Sequence, residues 1–349
     1  MAKHCYLTVV YSASSNIGQG FGNLLQISEI KEIQWIEVPT LSLLGEKVGM
    51  YQRGIISLLQ KIRPDAIVLF SNLRYLSFWT TLLWCNTHNL PVFLHGHGLC
   101  KKSKVGIFWK LTYRVVLKLS SSYICYTSSV AESLMNCGLP SNKIVIAENS
   151  LVNSYPVLPD EKDGSENGIL FIGRLRPGCG LDYLIKVIDR LHRAGQQEIN
   201  LHIIGNGVEY DNFYQMCKNM PWVHFYGECY NEKKISEISR KCRVGCYPGN
   251  AGLSVVHMFS LSLPPITHNN MMVQGPEPSY IISGENGLLF EYNDPEEGVF
   301  DALRVAFDNS IKLRVMQVKA YKTYEKLIQP PLAMRLVNII NGCQLKELS

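Results

Sequence analysis

Short apolar runs alternate with longer amphipathic stretches along the whole chain of 349 residues. One longer stretch carries apolar residues at the spacing of a single buried helix face: Leu181, Leu184, Ile185, Ile188 and Leu191. The short runs predict β-strands: Cys5–Tyr11, Ala66–Phe70, Pro91–Leu94, Tyr123–Tyr126, Ile144–Ala147, Gly168–Ile172, Asn200–Ile204, Trp222–Tyr226, Arg243–Tyr247, Pro265–Thr267 and Gly287–Phe290. Such alternation favours α/β architecture, with parallel sheets covered by helices.

The alternation occurs twice, and a polar, proline-containing stretch from Asn153 to Asn167 separates the two halves with the composition of a linker. A chain of this length exceeds one typical core. We therefore expect two Rossmann-like, doubly wound domains, residues 1–152 and 153–325, and a helical segment, residues 326–349, that packs back on the first domain. Ligands of such sheets bind beyond the carboxyl ends of the strands, so the domains are expected to face a central cleft.

Composition narrows the class of protein. Hydrophobic residues make up 46% and charged residues 18%, as in ordinary globular proteins, and a net charge of +5 does not indicate nucleic acid as a partner. The eleven cysteines form no CxxC pair; the closest two, Cys242 and Cys246, have no histidine nearby. Cysteines that stay reduced are typical of the cytoplasm, and no stretch of about 18 consecutive apolar residues predicts a membrane-spanning helix. We therefore expect a cytoplasmic protein, free or peripheral on the cytoplasmic face of a membrane.

The most informative polar stretch follows the strand that ends at Tyr247. The residues PGNAG lead into a predicted helix that begins at Leu253 or Ser254 and carries His257, and Glu277 follows one strand later. Glycine allows close approach of the backbone, and a helix start is partially positive. This corner is a predicted seat for a phosphate or for sugar hydroxyls.

A second candidate corner opens the second half of the chain. In ILFIGRLRPGCG, Arg174 directly follows a strand, Arg176 comes two residues later, and Gly178 and Gly180 precede a helix. A guanidinium at this place can neutralise a diphosphate and stabilise it as a leaving group. A structural salt bridge of Arg174 is the alternative.

The first strand runs into a loop with Gly18, Gly20 and Gly22. A dinucleotide-binding fingerprint requires its third glycine three residues after the second, and an acidic residue closing the next strand, where Glu37 is the nearest candidate. The spacing therefore favours a glycine loop beside a ligand in the cleft over an NAD site, with a simple turn as the remaining possibility.

Two histidines, His95 and His97, follow the third strand in the segment LHGHG. At a strand's carboxyl end, beside glycines, their side chains are expected to face the cleft. They are candidates for hydrogen bonds to a sugar or for proton transfer near neutral pH, and a structural role remains open.

The segment from Lys101 to Lys118 holds six basic residues and no acidic one. Lys110, Arg114 and Lys118 fall on one helical face, which fits either a helix resting on an anionic membrane surface or a solvated basic helix. Acidic metal ligands are lacking in the sequence, since there is no Asp-x-Asp triplet and the run Asp294–Glu297 is typical of a solvated turn. We expect no metal ion and no other cofactor.

The order of these motifs resembles a known family. Three segments are similar to passages of the GT-B-fold retaining glycosyltransferases of family 4, also called group 1: YTSSVAESLMNCGLPSNKIVIAENS, IGRLRPGCGLDYLI and PGNAGLSVVH. The resemblance is strongest from Tyr126 to Asp294, and PGNAGLSVVH resembles a subgroup that builds bacterial surface polysaccharides. It implies a metal-independent hexosyl- or related transferase that uses a nucleoside-diphosphate sugar and a lipid-linked saccharide, in O-antigen or capsule biosynthesis.

The resemblance also assigns roles. Arg174 would bind the donor diphosphate, backbone amides from Gly249 to Ser254 would hold the donor sugar and phosphate, and His257 would contact the nucleotide ribose. His97 or His95 would meet the reacting sugar, which makes these histidines and Arg174 the predicted catalytic set. The predicted donor-side set is Gly18, Gly20, Asn149, Arg174, Arg176, Gly249, Asn250, Gly252, Leu253, Ser254, His257 and Glu277.

Two departures from the family's pattern are visible. The family places two glutamates eight residues apart, where this chain has Gly249 and His257, and the family's loop lysine is replaced by Cys179, for which Arg176 is a candidate substitute. A non-catalytic scaffold or regulatory relative is therefore the main alternative. A nucleotide-sugar epimerase of the same architecture and an NAD-dependent oxidoreductase are further alternatives.

Overall fold

A computed structural model describes residues 1, 5–12, 33–42, 49–99, 105–163, 166–196 and 198–342. The chain divides into two compact units, one formed by Met1–Glu148 with Leu332–Ser349 and the other by Asn149–Pro331. Each unit contains a parallel sheet with helices between its strands, so the predicted α/β class is confirmed. The sequence patterns place the first boundary at 152/153, after the observed one at 148/149, and the second at 325/326, before the observed one at 331/332.

The first unit contains the following strands: Leu7–Ser12 (β1), Ile33–Val38 (β2), Thr40–Ser42 (β3), Met50–Gln52 (β4), Ile67–Phe70 (β5), Val92–Gly96 (β6), Ser122–Cys125 (β7) and Ile144–Ile146 (β8). Its helices in this part of the chain are Ile55–Ile62 (α1), Leu76–Thr87 (α2), Ile107–Leu119 (α3) and Ser128–Met135 (α4). Strands β5 to β8 form a parallel sheet in sequence order, β1 pairs with β2 in parallel, and β3 pairs with β4 antiparallel.

Helix α3 covers the core of the first unit with one face only. Tyr113, Val116 and Leu117 are buried against Leu94 and Tyr123 of the sheet. At the end of the helix, the Lys143 ammonium donates hydrogen bonds to the carbonyl oxygens of Leu117 and Ser120, both at 2.8 Å. A lysine at this end satisfies carbonyls that have no partner within the helix and complements the helix dipole.

The second unit contains the strands Asn167–Ile172 (β9), Ile199–Ile204 (β10), Val223–Gly227 (β11), Cys242–Cys246 (β12), Pro265–His268 (β13) and Leu288–Phe290 (β14). Its helices are Leu181–Arg193 (α5), Tyr210–Cys217 (α6), Glu232–Arg240 (α7), Ser254–Ser260 (α8), Pro295–Asp308 (α9) and Ser310–Ile328 (α10). The final helix, Leu332–Ile340 (α11), belongs to the first unit.

The six strands of the second unit form one parallel sheet in the order β11-β10-β9-β12-β13-β14. The chain starts at β9, moves outward to β11, and then returns to the other side of β9 with β12. The strand order therefore reverses between β9 and β12. In doubly wound sheets, this switch point opens a crevice at the carboxyl ends of the strands, where ligands bind.

Helices cover both faces of this sheet, with α5 packed on α9 and α8 packed on α10. The stripe predicted for α5 is confirmed, since all five of its residues are buried. These contacts form one continuous apolar core in the second unit, and the first unit has its own.

The polar stretch that composition assigns to a linker is packed against the second unit. The Asn153 amide group donates to Ser260 Oγ at 2.9 Å, and its backbone N–H donates to Tyr324 Oη at 2.8 Å. Val157 is fully buried and is bonded through its backbone to Ser260 at 3.0 Å. The interpretation of this stretch as a linker is wrong at Asn153 and Val157, which are buried in the second unit, although Asp160 and Asp163 of the same stretch are exposed.

Helix α11 returns the chain to the first unit, where Ile339 packs with Phe93 and Ile124 of its sheet. Arg335 is almost fully buried, and its Nη1 donates to the carbonyl oxygens of Ala147 at 2.8 Å and Glu148 at 2.7 Å. This arginine ties the helix to the last residues of the chain before it leaves the first unit.

Within the described ranges, no helix is long and apolar enough to cross a membrane. Among the described residues, no two cysteines are joined by a disulfide bond. All eleven predicted strands are present within two residues of their predicted bounds, whereas β2, β3 and β4 were not predicted.

Candidate functional site

Two loops meet at the carboxyl edge of the second unit's sheet, at the switch point. One follows β9 and carries Arg174, and the other follows β12 and runs from Tyr247 to Gly252. Since β9 and β12 are parallel neighbours, both loops leave the sheet at the same edge. The structure thus brings together the two corners that were identified separately in the sequence.

Glycines allow these loops to touch backbone to backbone. The Gly249 N–H donates to the carbonyl oxygen of Cys179 at 3.0 Å, and the Asn250 N–H donates to that of Gly178 at 3.3 Å. A Cβ atom on Gly249 would lie 2.7 Å from the Cys179 oxygen and closer still to the Gly178 oxygen. A Cβ atom on Gly180, whose φ is +75°, would lie 2.6 Å from the Gly249 nitrogen. Neither position accepts a side chain.

This contact corrects one expectation. The amides of Gly249 and Asn250 were predicted to hold a ligand, but they are engaged by carbonyl groups of the neighbouring loop. In the described part of the chain, the amides of Gly252, Leu253 and Ser254 donate no hydrogen bond within the protein. Unpaired amides occur at every helix start, so they identify no ligand by themselves.

Arg174 lies on the first of these loops, and Tyr247 holds the backbone of that loop in place. The Tyr247 ring stacks on Phe171, with centroids 4.8 Å apart, and its hydroxyl donates to the Arg174 carbonyl oxygen at 3.4 Å. A Cβ atom on Gly173 would lie 2.7 Å from the Tyr247 ring. The backbone on both sides of the Arg174 side chain is therefore fixed.

The Arg174 side chain is half-buried, and within the described residues its guanidinium makes no hydrogen bond and no ion pair. The salt bridge considered as an alternative for Arg174 is not formed by that part of the chain. Arg176 differs, because its Nη2 donates to the Asn250 carbonyl oxygen at 3.1 Å and so fastens the two loops together.

Asn149 and Glu277, predicted separately, form a pair in the second unit. Asn149 Nδ2 donates to Glu277 Oε1 at 2.5 Å, and the Tyr280 hydroxyl donates to the Asn149 carbonyl oxygen at 3.1 Å. Glu277 is 3% exposed, and a Cβ atom on Gly252 would lie 3.6 Å from its Oε2. A buried carboxylate therefore borders the start of α8.

His257, on α8, is bonded to a residue that the sequence analysis did not identify. Its Nε2 lies 3.0 Å from Oε2 of Glu232, the first residue of α7. The two residues are 25 positions apart in sequence, and the local pattern gives no signal for the pair.

A buried polar network packs against the Tyr247–Gly252 loop, and the sequence did not predict this network. Thr267 Oγ1 lies 3.5 Å from the Gly249 carbonyl oxygen and 3.2 Å from Gln274 Oε1. Gln274 Nε2 donates to His268 Nδ1 at 3.1 Å and to the His268 carbonyl oxygen. Burial lowers the pKa of His268 to about 4, so its imidazole is neutral at pH 7 and Nδ1 can accept these bonds.

The two histidines of the first unit lie at the carboxyl end of β6 around one aromatic ring. Tyr126 is in edge contact with His95 at 4.3 Å and with His97 at 4.6 Å between centroids. Burial, and to a smaller extent the neighbouring His97, lowers the pKa of His95 to about 4. Proton transfer by His95 near neutral pH is therefore disfavoured, while hydrogen bonding by the neutral ring is not.

Other predicted features lie beyond these two places. Gly18 and Gly20 fall outside the described residues. Helix α3 begins at Ile107, and residues 100–104 also fall outside them. Within the described ranges, no group of three or more His, Cys, Asp or Glu side chains is arranged to hold a metal ion.

The exposed face of α3 is not purely basic. Of the three predicted basic residues, Arg114 and Lys118 are exposed and Lys110 is half-buried, but Ile107, Phe108, Leu111 and Val115 are exposed as well. Cationic and large apolar side chains therefore share one solvent-facing surface, which we call the α3 face and define by the six exposed residues.

Known proteins share this architecture. The family model described as glycosyl transferases group 1 matches residues 159–323. A glycosyltransferase from Rickettsia africae ESF-5 superposes with a TM-score of 0.68 and 14% identity, covering 97% of each chain. Anabaena Alr3699/HepE in complex with UDP gives 0.65 and 14% identity, covering 89% of this chain and 86% of that one.

The lipopolysaccharide outer core galactosyltransferase WaaB, in its apo form, gives a TM-score of 0.61 and 16% identity over 89% of this chain and 85% of that one. No curated protein sequence matches significantly. At these identities the superpositions establish the fold alone, and the predicted GT-B class is confirmed.

Proposed function

Residues 159–323 match the family model of the group 1 glycosyl transferases, and from this premise we propose that the protein transfers a sugar from a nucleoside-diphosphate sugar to a saccharide acceptor. The second unit binds the donor at its switch point, between the Arg174 loop and the Tyr247–Gly252 loop. Alr3699/HepE, which shares the fold, has been crystallised with UDP, and this supports a nucleotide as the ligand of this corner.

The observation that carries the proposal is the state of Arg174. A half-buried cation without an anionic partner in the described part of the chain is costly unless a ligand compensates it. A planar guanidinium matches the oxygens of a diphosphate in bidentate geometry. Its loop is fixed by Tyr247 and Arg176, so the charge is preorganised for this ligand.

The proposed reaction breaks the bond between the anomeric carbon and the diphosphate and forms a bond from that carbon to an acceptor hydroxyl oxygen. Attack occurs on the face from which the diphosphate departs, so the anomeric configuration is retained, and the acceptor proton leaves with the diphosphate. Arg174 stabilises the negative charge that grows on the leaving group, where electrostatic catalysis is most effective. No metal ion is required by this assignment.

Further roles are proposed for the other predicted site residues. His257 contacts the nucleotide ribose, and Asn149 and Glu277 border the donor sugar through their hydrogen-bonded pair. In the first unit, the ring of His95 or His97 bonds a hydroxyl of the reacting sugar. Gly18 and Gly20 are assigned to donor binding on the basis of sequence alone.

The proposed acceptor is a lipid-linked saccharide of cell-surface polysaccharide biosynthesis, on the cytoplasmic face of the membrane. Support comes from the α3 face, where Ile107 and Phe108 are 69% and 70% exposed beside Arg114 and Lys118. Apolar side chains that insert between lipids and cations that attract anionic headgroups are the two components of peripheral membrane binding. WaaB, of similar fold, is a lipopolysaccharide outer core galactosyltransferase.

A non-catalytic relative is the second candidate. It is favoured by Gly249, which stands at a glutamate position of the family and is occupied by contact with the neighbouring loop. Such a scaffold would retain the fold without turning over a donor.

Titration calorimetry with UDP, GDP, ADP and CDP tests the proposed function. We expect one of these nucleotides to bind the wild-type protein and to lose about tenfold to a hundredfold in affinity in Arg174→Ala, as for the loss of a charge-assisted hydrogen bond. Arg193→Ala, which removes the same charge from an 80% exposed side chain of α5, is the matched control. Absence of binding by all four, or equal binding by Arg174→Ala, would contradict the proposal.

A further inference from the structure

His257 and Glu232 come from two different helices that begin at the same edge of the sheet. Helix α7 follows β11 and begins at Glu232, while α8 follows β12 and carries His257. The starts of both helices lie at the carboxyl edge, where Arg174 also lies. The His257 side chain is 14% exposed and the Glu232 side chain 31% exposed, so their contact is shielded from water but open on one side.

The contact determines which nitrogen of His257 carries its proton. An ionised carboxylate only accepts hydrogen bonds, so at 3.0 Å from Glu232 Oε2 the Nε2 atom must be the donor. In the neutral imidazole, Nδ1 is then left as an acceptor. Among the described residues, none donates a hydrogen bond to this Nδ1 atom.

A hydroxyl group is the ligand chemistry that suits such an atom. Nδ1 of the neutral ring can accept a proton from a hydroxyl, but it offers nothing to a phosphate oxygen, which itself only accepts. The Glu232 carboxylate fixes the orientation of the ring, as carboxylate partners of histidines do at other sites.

We propose that Glu232 is a positioning residue of the donor site: it holds His257 in the Nε2–H form, with Nδ1 as the acceptor for a ribose hydroxyl of the nucleotide. This inference rests on the proposed function, since it requires a nucleotide at the switch point. Through this hydrogen bond, helix α7 supplies an acidic group, Glu232, to the Tyr247–Gly252 loop and α8, whose own sequences have no acidic residue.

Three variants test the assignment. Glu232→Ala removes the acceptor of the Nε2 proton, and Glu232→Gln keeps an oxygen acceptor at the same place. Glu237→Ala is the matched control, because it removes an exposed carboxylate from the same helix. Two readouts are needed: the dissociation constant for the nucleoside diphosphate that binds the wild type, and the His257 tautomer from nitrogen–proton correlation spectra of histidine-labelled protein. Thermal unfolding verifies that each variant is folded.

In the wild type and in Glu232→Gln we expect the Nε2–H tautomer and dissociation constants within about threefold of each other. Glu232→Ala is expected to lose the single tautomer and to bind the nucleotide about tenfold to a hundredfold more weakly, whereas Glu237→Ala should match the wild type. The 2′,3′-dideoxy form of the same nucleotide should bind Glu232→Ala and the wild type equally, because the hydroxyl is then missing.

The inference is overturned if Glu232→Ala keeps the wild-type tautomer or affinity, or if the dideoxy nucleotide shows the same loss as the natural one. Failure of the wild type to bind any nucleoside diphosphate is a different result, and it overturns the proposed function.

Discussion

Gly249 and Gly180 are required because two backbones touch, with a Cβ atom on Gly180 falling 2.6 Å from the Gly249 nitrogen. Glycine-rich loops at the ends of strands are usually interpreted as sites where a ligand approaches the main chain. In this protein, two of the amides in question bind carbonyl groups of the adjacent loop. The glycines fix the geometry of the site, and the side chain of Arg174 carries its charge.

Gly249→Ala and Gly252→Ala form a matched pair for this interpretation. The first variant forces the two loops apart and is expected to lose about 1 to 3 kcal/mol of stability, as overpacked sites do. The second places its methyl group 3.6 Å from Glu277 Oε2, an ordinary contact, and should unfold like the wild type. Urea denaturation of both variants provides the measurement. Equal stability of the two would show that the loops are not held by this contact.

Individual residues of the site differed in how far the sequence could predict them. Arg174 could be identified because its position after a strand and before a glycine turn is a local signal. Glu232 and Gln274 could not, because each acts on a residue brought close only by folding: His257 in one case and His268 in the other. The amides of Gly249 and Asn250 were misassigned for the same reason.

At the scale of elements, the buried strands were predictable and the peripheral ones were not. The strands of the six-stranded sheet are mostly apolar, as expected of parallel strands covered on both faces, with single polar residues such as His202 in β10 and Arg243 in β12. In β2, Gln34 and Glu37 interrupt the apolar residues without a strict alternation, and Glu37 accepts a hydrogen bond from the Tyr11 hydroxyl at 3.2 Å. Strands β3 and β4 have three residues each, too few to show a period.

Helix α3 shows how a correct pattern can have an incomplete interpretation. The basic positions Arg114 and Lys118 were placed on one helical face, and both are exposed. The structure buries only Tyr113, Val116 and Leu117 and leaves Ile107 and Phe108 on the exposed side. A basic helix that merely covers the core would not require them there.

The α3 face is therefore expected to bind vesicles that contain anionic phosphatidylglycerol and to release them as salt screens the basic residues. Phe108→Asp should weaken binding by about tenfold or more, because an inserted aromatic side chain is lost. Ile311→Asp, on α10, changes a residue of similar exposure, 75% against 70%, and should leave binding intact. Co-sedimentation measures both. Wild-type protein that stays in solution, or Phe108→Asp that binds normally, would refute membrane association through α3.

At the scale of the whole molecule, strand–helix alternation was sufficient to predict two α/β units. What it could not supply is the role of the stretch between them. Asn153 and Val157 belong to the core of the second unit, although the surrounding composition is that of a linker. Polar residues that satisfy buried groups and polar residues that face water give the same pattern in a sequence.

Buried histidines predict how the stability of the molecule depends on pH. Burial lowers the pKa values of His95, His202 and His268 to about 4, against 6.5 in the unfolded chain. Between these values the unfolded chain binds more protons than the folded protein, so stability is complete above pH 6.5 and is lost as the pH falls toward 4. Each fully neutral histidine contributes a slope of up to about 1.4 kcal/mol per pH unit in this window.

His268→Asn isolates one of these contributions, because the asparagine oxygen can replace Nδ1 as an acceptor without titrating. Its free energy of unfolding should fall less steeply than that of the wild type between pH 6.5 and pH 4. His88→Asn, at an exposed position, should leave the slope unchanged. Parallel curves for the wild type and His268→Asn would show that this histidine is not held neutral by folding.

The most direct test of the central claim is the release of nucleoside diphosphate from a panel of UDP-, GDP- and ADP-sugars, with saccharides or water as acceptor. The wild-type protein is expected to turn over at least one donor, and Arg174→Ala to lose about a hundredfold to a thousandfold in rate, as when a group that stabilises the developing charge is removed. Arg193→Ala should keep the wild-type rate. Undiminished turnover by Arg174→Ala would contradict the account, and a wild type that turns over no donor would identify the protein as a non-catalytic relative.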